Sequence, residues 1–169
     1  MKFKSKKDMY PDVSIWLTNF LKDRFSKAHI EVYELSQNPI SNFLRTYDHG
    51  KFPEEWVTWN IKVDVVGFVH APNKPSALVF VECKNTKLTL AHLSQLLGYS
   101  RIAQPIYSFL VSPAGFSTTL ISLLQKYQRR DVLEYYWETG KIPRKIVVAQ
   151  WDRSAANLNR HNMIGGSGI

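Results

Sequence analysis

Cysteine is almost missing from this chain: Cys83 is the only one in 169 residues. A lone thiol excludes an internal disulfide and any zinc or iron–sulfur site built on four cysteines. No histidine and cysteine cluster falls at zinc-ligand spacing either. Long apolar runs are also missing, so no segment reads as a membrane span. Residues 1–7 (MKFKSKK) are basic, but no apolar stretch of signal-peptide length follows, so the expected location is cytoplasmic. No internal repeat is visible. Acid is the scarce charge, with 14 Asp and Glu against 22 Lys and Arg. The resulting net charge of +8 and pI near 9.6 favour an anionic partner. No amphipathic basic helix stands out, which favours nucleic acid over a membrane surface.

What is present suffices for one domain. An apolar content of 44% over this length can bury a core without staples. Residues 1–169 are expected to form a single domain, with an insertion at about 36–55 and a flexible tail from about 157. The periodicities predict a helix over 11–28 and a strand over 29–35. After the insertion come strands over 59–69 and 77–84, separated by a proline-rich turn at 72–75. A helix is expected over 90–103 and a strand over 106–111. That strand should pair in parallel, because a helical crossover precedes it. A second long helix is expected over 118–138 and a last strand over 145–151. The implied class is α/β, a mixed sheet flanked by helices.

The chemistry gathers between Asp64 and Tyr99. In a strand, residues two apart share a face. Glu82 and Lys84 therefore point one way and Cys83 the other. Leu78 and Phe80 precede Glu82 on its face, and Val79 and Val81 precede Cys83 on the other. A strand apolar on both faces is central, and burying a charge at its end requires a partner or a cation. Asp64 interrupts the apolar run before it in the same way. Carboxylate oxygens suit a hard cation, Mg²⁺ or Mn²⁺. Such an ion polarises a phosphoryl oxygen. Lys84 would orient water, assist its deprotonation or stabilise developing charge. The backbone carbonyl of Cys83 would add a metal oxygen and leave the thiol uncritical. On the helix, His92, Gln95 and Tyr99 form one polar stripe beside an apolar one of Leu90, Leu93 and Leu97. The plainer alternative is a Glu82–Lys84 salt bridge at a strand end, with Gln95 and Tyr99 as half-buried packing.

The pattern Asp64, then Glu82-Cys83-Lys84, then Gln95-x-x-x-Tyr99 resembles the PD-(D/E)xK, or restriction-endonuclease-like, nuclease superfamily. Within it, the pattern is similar to archaeal-type Holliday junction resolvases and to nuclease domains with a Q-x-x-x-Y helix. The resemblance spans about the first two thirds of the chain. It implies a restriction-endonuclease-like mixed central sheet flanked by helices and Mg²⁺-dependent phosphodiester hydrolysis on nucleic acid. It also implies Asp64 and Glu82 as metal ligands, Lys84 as the catalytic lysine, and Gln95 and Tyr99 as supporting residues near the scissile phosphate. The lone cysteine argues against the iron–sulfur members. Many members carry a glutamate in the first helix, which here has only Asp12 and Asp23. Glu31 and Glu34 fall in the following strand, so the fourth acidic position stays open among these residues.

The expected function is a Mg²⁺-dependent DNA endonuclease. The alternatives are a nucleic-acid-binding module that no longer cuts, and a nuclease acting on RNA or single-stranded ends. Cutting both strands would suit a homodimer. Outside the motif, Lys2, Lys4, Lys6 and Lys7 form a basic tip that is solvated or touches phosphates. Arg45, His49 and Lys51 lie among Tyr47, Phe52, Trp56 and Trp59. That mixture either stacks bases or caps the loop onto the core.

Overall fold

The computed structural model describes residues 4–166 and 168–169; Lys2 of the basic tip and Ser167 of the tail lie outside them. Helix α1 spans Tyr10–Arg24 and strand β1 His29–Glu34. A short helix α2, Ile40–Arg45, and a 3-10 turn, Glu54–Thr58, fill the insertion. Strands β2 (Val65–His70) and β3 (Ala77–Cys83) follow, then helix α3 (Leu90–Ala103) and strand β4 (Tyr107–Ser112). The chain closes with α4 (Thr118–Ile121), β5 (Glu134–Tyr136), β6 (Arg144–Asp152) and β7 (Asn157–Ile164). These strands make one seven-stranded mixed sheet in the order β1-β2-β3-β4-β6-β5, with β7 pairing β6. The β1–β2 and β2–β3 pairs are antiparallel, and β3–β4 and β4–β6 are parallel. The β3–β4 pair has the sense that the crossover through α3 requires.

Alternation along the central strands splits the core into two layers. Val66, Phe68, Leu78 and Phe80 face a cluster that includes Leu93 and Leu96 of α3. Val65, Val79, Val81 and Cys83 face Val13, Leu17 and Leu21 of α1. On α1 the apolar residues recur at four-residue spacing, so they form one stripe. The stripe lies close to the sheet at Gly67: a Cβ there would sit 2.9 Å from Leu21 Cδ1. Glycine in mid-strand is what admits this approach.

Four expectations are corrected. The helix expected over 118–138 is only α4, a π-turn (Ser122–Lys126) and a 3-10 turn (Arg130–Leu133), before the chain becomes β5. Gln128 takes a left-handed φ of 54° that breaks the α-helical path. Beyond it, Tyr135 is buried and donates its hydroxyl to Pro105 O at 2.9 Å, while Glu134 pairs with Lys145. Pairing with β6 thus overrides the local helical period. The tail expected to be flexible from 157 is instead strand β7, with Leu158 and Ile164 buried. Its polar composition is that of a strand with little surface to bury.

The strand expected over 59–69 forms ladder pairs only from Val65. Trp59, Ile61 and Val63 still enter the core. Their stretch is extended, but its carbonyls serve another element. Ile61 O and Trp59 O accept the N–H groups of Ile40 and Ser41 at 2.9 and 3.0 Å, which satisfies the exposed start of α2. Finally, the buried stripe of α3 is Leu93, Leu96, Ser100 and Ala103 rather than Leu90, Leu93 and Leu97. Leu90 is exposed, and Ser100 bonds Ser108 of β4 at 2.7 Å inside the core.

Candidate active site

The β2–β3 register builds the centre of the site. Val65 faces Val81, so one further step brings Asp64 alongside Glu82. The chain bends at Asp64, where the ladder stops. The freed carboxylate is only 2% exposed, and it is fully engaged. Cys83 N–H donates to its Oδ2 at 2.9 Å and Tyr10 Oη donates to Oδ1 at 2.6 Å. Lys6 Nζ spans both oxygens, at 2.9 and 3.2 Å. Tyr10 begins α1, and Lys6 begins a 3-10 turn, Lys6–Met9, pinned by the buried Met9. Burial, the hydrogen bond to Asp64 and the Asp64 charge push the Tyr10 hydroxyl far above its usual range, so it stays a donor.

Glu82 is 4% exposed and faces the α3 side of the sheet. Lys84 Nζ donates to its Oε1 at 2.8 Å. Burial is the main cause that holds this carboxyl above its ordinary value, and the nearby Asp64 charge adds to it. Lys84 and Lys6 pull the other way. The site therefore holds two buried carboxylates and two ammonium groups. The Cys83 side chain points into the opposite core layer, and burial, then the Asp64 and Glu82 charges, push its thiol far up. Of this residue, the site is touched by backbone alone, as parity requires.

Helix α3 points one end of its polar stripe here. Thr89 caps the helix, and its N–H donates to His92 Nδ1 at 3.2 Å. Burial and then the Lys84 and Lys6 charges lower the His92 pKa from its ordinary value. Gln95 and Tyr99 lie further along. Gln95 is exposed, Tyr99 is half-buried, and Gln95 Nε2 donates to Tyr99 Oη at 3.4 Å. Among the described residues, no hydrogen bond ties either to Asp64, Glu82 or Lys84.

The structure thus brings Asp64, Glu82 and Lys84 together, leaves Gln95 exposed on α3 with Tyr99 packed against the core, and adds Lys6, Tyr10 and His92. Sequence spacing gives no access to Lys6 and Tyr10, which lie 58 and 54 residues from Asp64. His92 is legible as the first member of the stripe. Of the candidates for a fourth acid, Glu34 lies at this end of the sheet but is exposed, and the others lie elsewhere. Asp12 and Asp23 line a cavity of about 610 Å³ between α1 and the β6–β7 end. Glu31 sits at the far end of β2, and Glu34, opposite Val65, is exposed.

The donor set fits a hard divalent cation. Asp64 and Glu82 offer only oxygen, and the Cys83 carbonyl, water and a phosphate would complete an oxygen shell. Among the described residues no group of three His, Cys, Asp or Glu side chains could hold an ion unaided. A two-carboxylate site for Mg²⁺ does not need one.

A second polar cluster closes the other end of β2. Glu31 accepts hydrogen bonds from Tyr33 at 3.0 Å and from Tyr47. Tyr47 Oη also meets His70 Nε2 at 2.8 Å, and His70 Nδ1 meets Ser76 Oγ at 2.8 Å. Gly50, at φ +88°, covers Ser76 and His70 more closely than any side chain would allow. The insertion's aromatics pack here: Phe43, Tyr47 and Phe52 surround Phe68 with ring centroids at 5.6, 5.0 and 5.9 Å. That is the capping role. Separately, no described helix is long and apolar enough to cross a membrane. The chain matches no protein-family model and no curated protein sequence.

Proposed function

We propose that this protein is a divalent-metal-dependent nuclease of the PD-(D/E)xK type, acting on DNA. The observation that carries the reading is the meeting of Asp64 and Glu82, both buried at adjoining strand ends, with Lys84 on Glu82. Two buried carboxylates side by side cost free energy that a structural role does not require. A mixed sheet between helix layers, with these residues at β2 and β3, accords with the core the resemblance implies.

A Mg²⁺ or Mn²⁺ ion held by Asp64, Glu82 and the Cys83 carbonyl would supply Lewis-acid stabilisation of a phosphodiester. The chain's own residues do the rest. Cys83 N–H and Tyr10 fix the Asp64 carboxylate in one orientation. Lys84 sets an ammonium where negative charge grows on the phosphate, or where the attacking water loses its proton. Gln95, exposed on α3, would meet the nucleic-acid strand, with Tyr99 bonded beside it. The net charge of +8 supports a polyanionic substrate.

The test is incubation with plasmid, linear duplex, single-stranded and branched DNA, and with RNA, plus Mg²⁺ or Mn²⁺, read on denaturing gels. Cleavage lost in Asp64→Ala, Glu82→Ala and Lys84→Ala is expected. A second reading, a binding module that does not cut, is favoured by one observation. Lys6 and Lys84 already neutralise both carboxylates. Equal DNA binding in chelator, Ca²⁺ and Mg²⁺, with no substrate cut, would select it.

A further inference from the structure

The contact between Lys6 and Asp64 has no place in the sequence pattern, yet it is the most direct ion pair on the candidate metal ligand. Lys6 Nζ bridges both Asp64 oxygens, so it stands where a cation on that carboxylate would stand. The other two partners of Asp64, Tyr10 and the Cys83 N–H, are neutral donors and can remain while the cation changes. The Lys6 side chain is 39% exposed against 3% for Asp64, so the ammonium lies at the mouth of the site and not inside it. Its backbone is anchored by Met9 and by the Ser5–Asp8 box at the start of the turn. A displaced ammonium therefore stays within one side-chain length of the site.

Charge arithmetic gives the consequence. Asp64 and Glu82 are balanced by Lys6 and Lys84. A divalent cation taking both carboxylates releases Lys6 and leaves the site in positive excess. A phosphodiester supplies the compensating charge.

Resting on the nuclease reading, we propose that Lys6 is a resident counter-cation. It holds the metal's place on Asp64 and, once displaced, binds the substrate phosphate. Lys6 and the ion then compete, whereas Lys6 and the nucleic acid cooperate only when the ion is bound.

The experiment uses the full chain as wild type, Lys6→Ala, Lys6→Gln and, as control, Lys7→Ala, which removes an exposed charge from the same turn. Asp64→Ala reports on the site itself, and thermal melts confirm folding of each. Calorimetry with Ca²⁺ and Mg²⁺ is expected to show about tenfold tighter ion binding in both Lys6 variants and no change in Lys7→Ala, the scale of one charge-assisted hydrogen bond. Binding of a duplex oligonucleotide is then measured against salt, in Ca²⁺ and in chelator. The slope of log affinity on log salt should fall by about one for the Lys6 variants in Ca²⁺ and stay unchanged in chelator. Equal ion affinity in wild type and Lys6 variants, with binding abolished in Asp64→Ala, overturns the role of Lys6 and leaves the metal site standing. A Lys6 slope change that is the same with and without Ca²⁺ also overturns it, since that is an ordinary phosphate contact. If no protein in the set binds either ion, the metal-site reading and this inference fall together.

Discussion

An acid cluster lies at each end of strand β2, buried at Asp64 and half-buried at Glu31, and the two are held differently. At the Asp64 end, two carboxylates are matched by two lysines. At the His70 end, Glu31 is held by neutral hydroxyl donors, Tyr33 and Tyr47, with His70 beside it at 3.4 Å. Burial works to raise the Glu31 pKa, but the Tyr47 and Tyr33 hydrogen bonds and the nearby His29 and His49 overcome it, so it lies below its ordinary value. Burial instead wins at Glu82, helped by Asp64. In the Glu31 cluster each member is bonded to a neighbour: Tyr33 and Tyr47 to Glu31, Tyr47 to His70, and His70 to Ser76. Lys6 and Lys84 reach their partners on long side chains, and the Lys6 side chain is 39% exposed. Glu31 is held by two hydroxyls with His70 beside it, whereas Asp64 combines two neutral donors with one ammonium.

The sharpest way to break the contrast is to remove one member from each end. Lys84→Ala should lower cleavage by about a hundredfold or more, with DNA affinity nearly unchanged, because one charge among many contributes little to phosphate binding. Glu31→Gln should leave cleavage within about twofold while costing about 1–2 kcal/mol of stability through its hydroxyl partners. Single-turnover rates and urea melts on both proteins check this. A folded Lys84→Ala that cuts at the wild-type rate removes Lys84 from the mechanism.

Acid should separate the ends next. Burial lowers the His70 pKa from its ordinary 6.5, and the charges of His29 and His49 lower it further, while Glu31 opposes. A lowered histidine favours the fold when neutral. Its contribution is therefore present above pH 6.5 and is lost as pH falls through the folded value. Glu31, also lowered, contributes above its ordinary 4.5 and loses that as pH falls through its own folded value. The melting temperature is expected to start falling just below pH 6.5 and to keep falling past 4.5. His70→Gln should shrink the first part of the fall, leaving the share that His92, also lowered, contributes, and leave the second. A wild-type melting temperature flat from pH 7 to 5 would contradict the role given to His70.

The helix tests a smaller effect. Gln95 is exposed, so Gln95→Ala should change stability by less than about 0.5 kcal/mol, and Tyr99→Phe, which keeps the packed ring, similarly little. Each should still reduce turnover several-fold if α3 meets the strand being cut. Normal turnover with early melting would make the stripe packing.

These contrasts also show what the sequence made legible. Strand parity placed Glu82 and Lys84 on one face and Cys83 on the other, because a period of two survives any tertiary setting. The helix expected over 90–103 is α3 to its last residue. The Asp64 partners were not, since Lys6 and Tyr10 reach it through folding and not through spacing. Strands β5 and β7 were hidden for a related reason. Residues 134–136 continue a helical period, and 157–164 are mostly polar, so only pairing with β6 makes them strands. The Glu31 cluster was missed because its members come from β1, the insertion and β2, and no motif links them.

The smallest effect tests the site's backbone. Cys83 gives Asp64 its N–H, and its side chain is buried in the α1-side layer. Burial above all, with Asp64 and Glu82 behind it, keeps the thiol protonated. A protonated thiol in the opposite core layer is neither nucleophile nor ligand. Cys83→Ala should therefore cost about 1 kcal/mol of packing and leave cleavage and ion affinity within about twofold. Cys83→Ser should cost more, because a hydroxyl would enter an apolar layer, yet cut equally well once folded. Reading both variants keeps packing apart from chemistry, since they differ in stability and share a backbone. If both fold and both lose cleavage, the sulfur itself takes part, and the assignment of the carbonyl rather than the side chain to the metal is wrong.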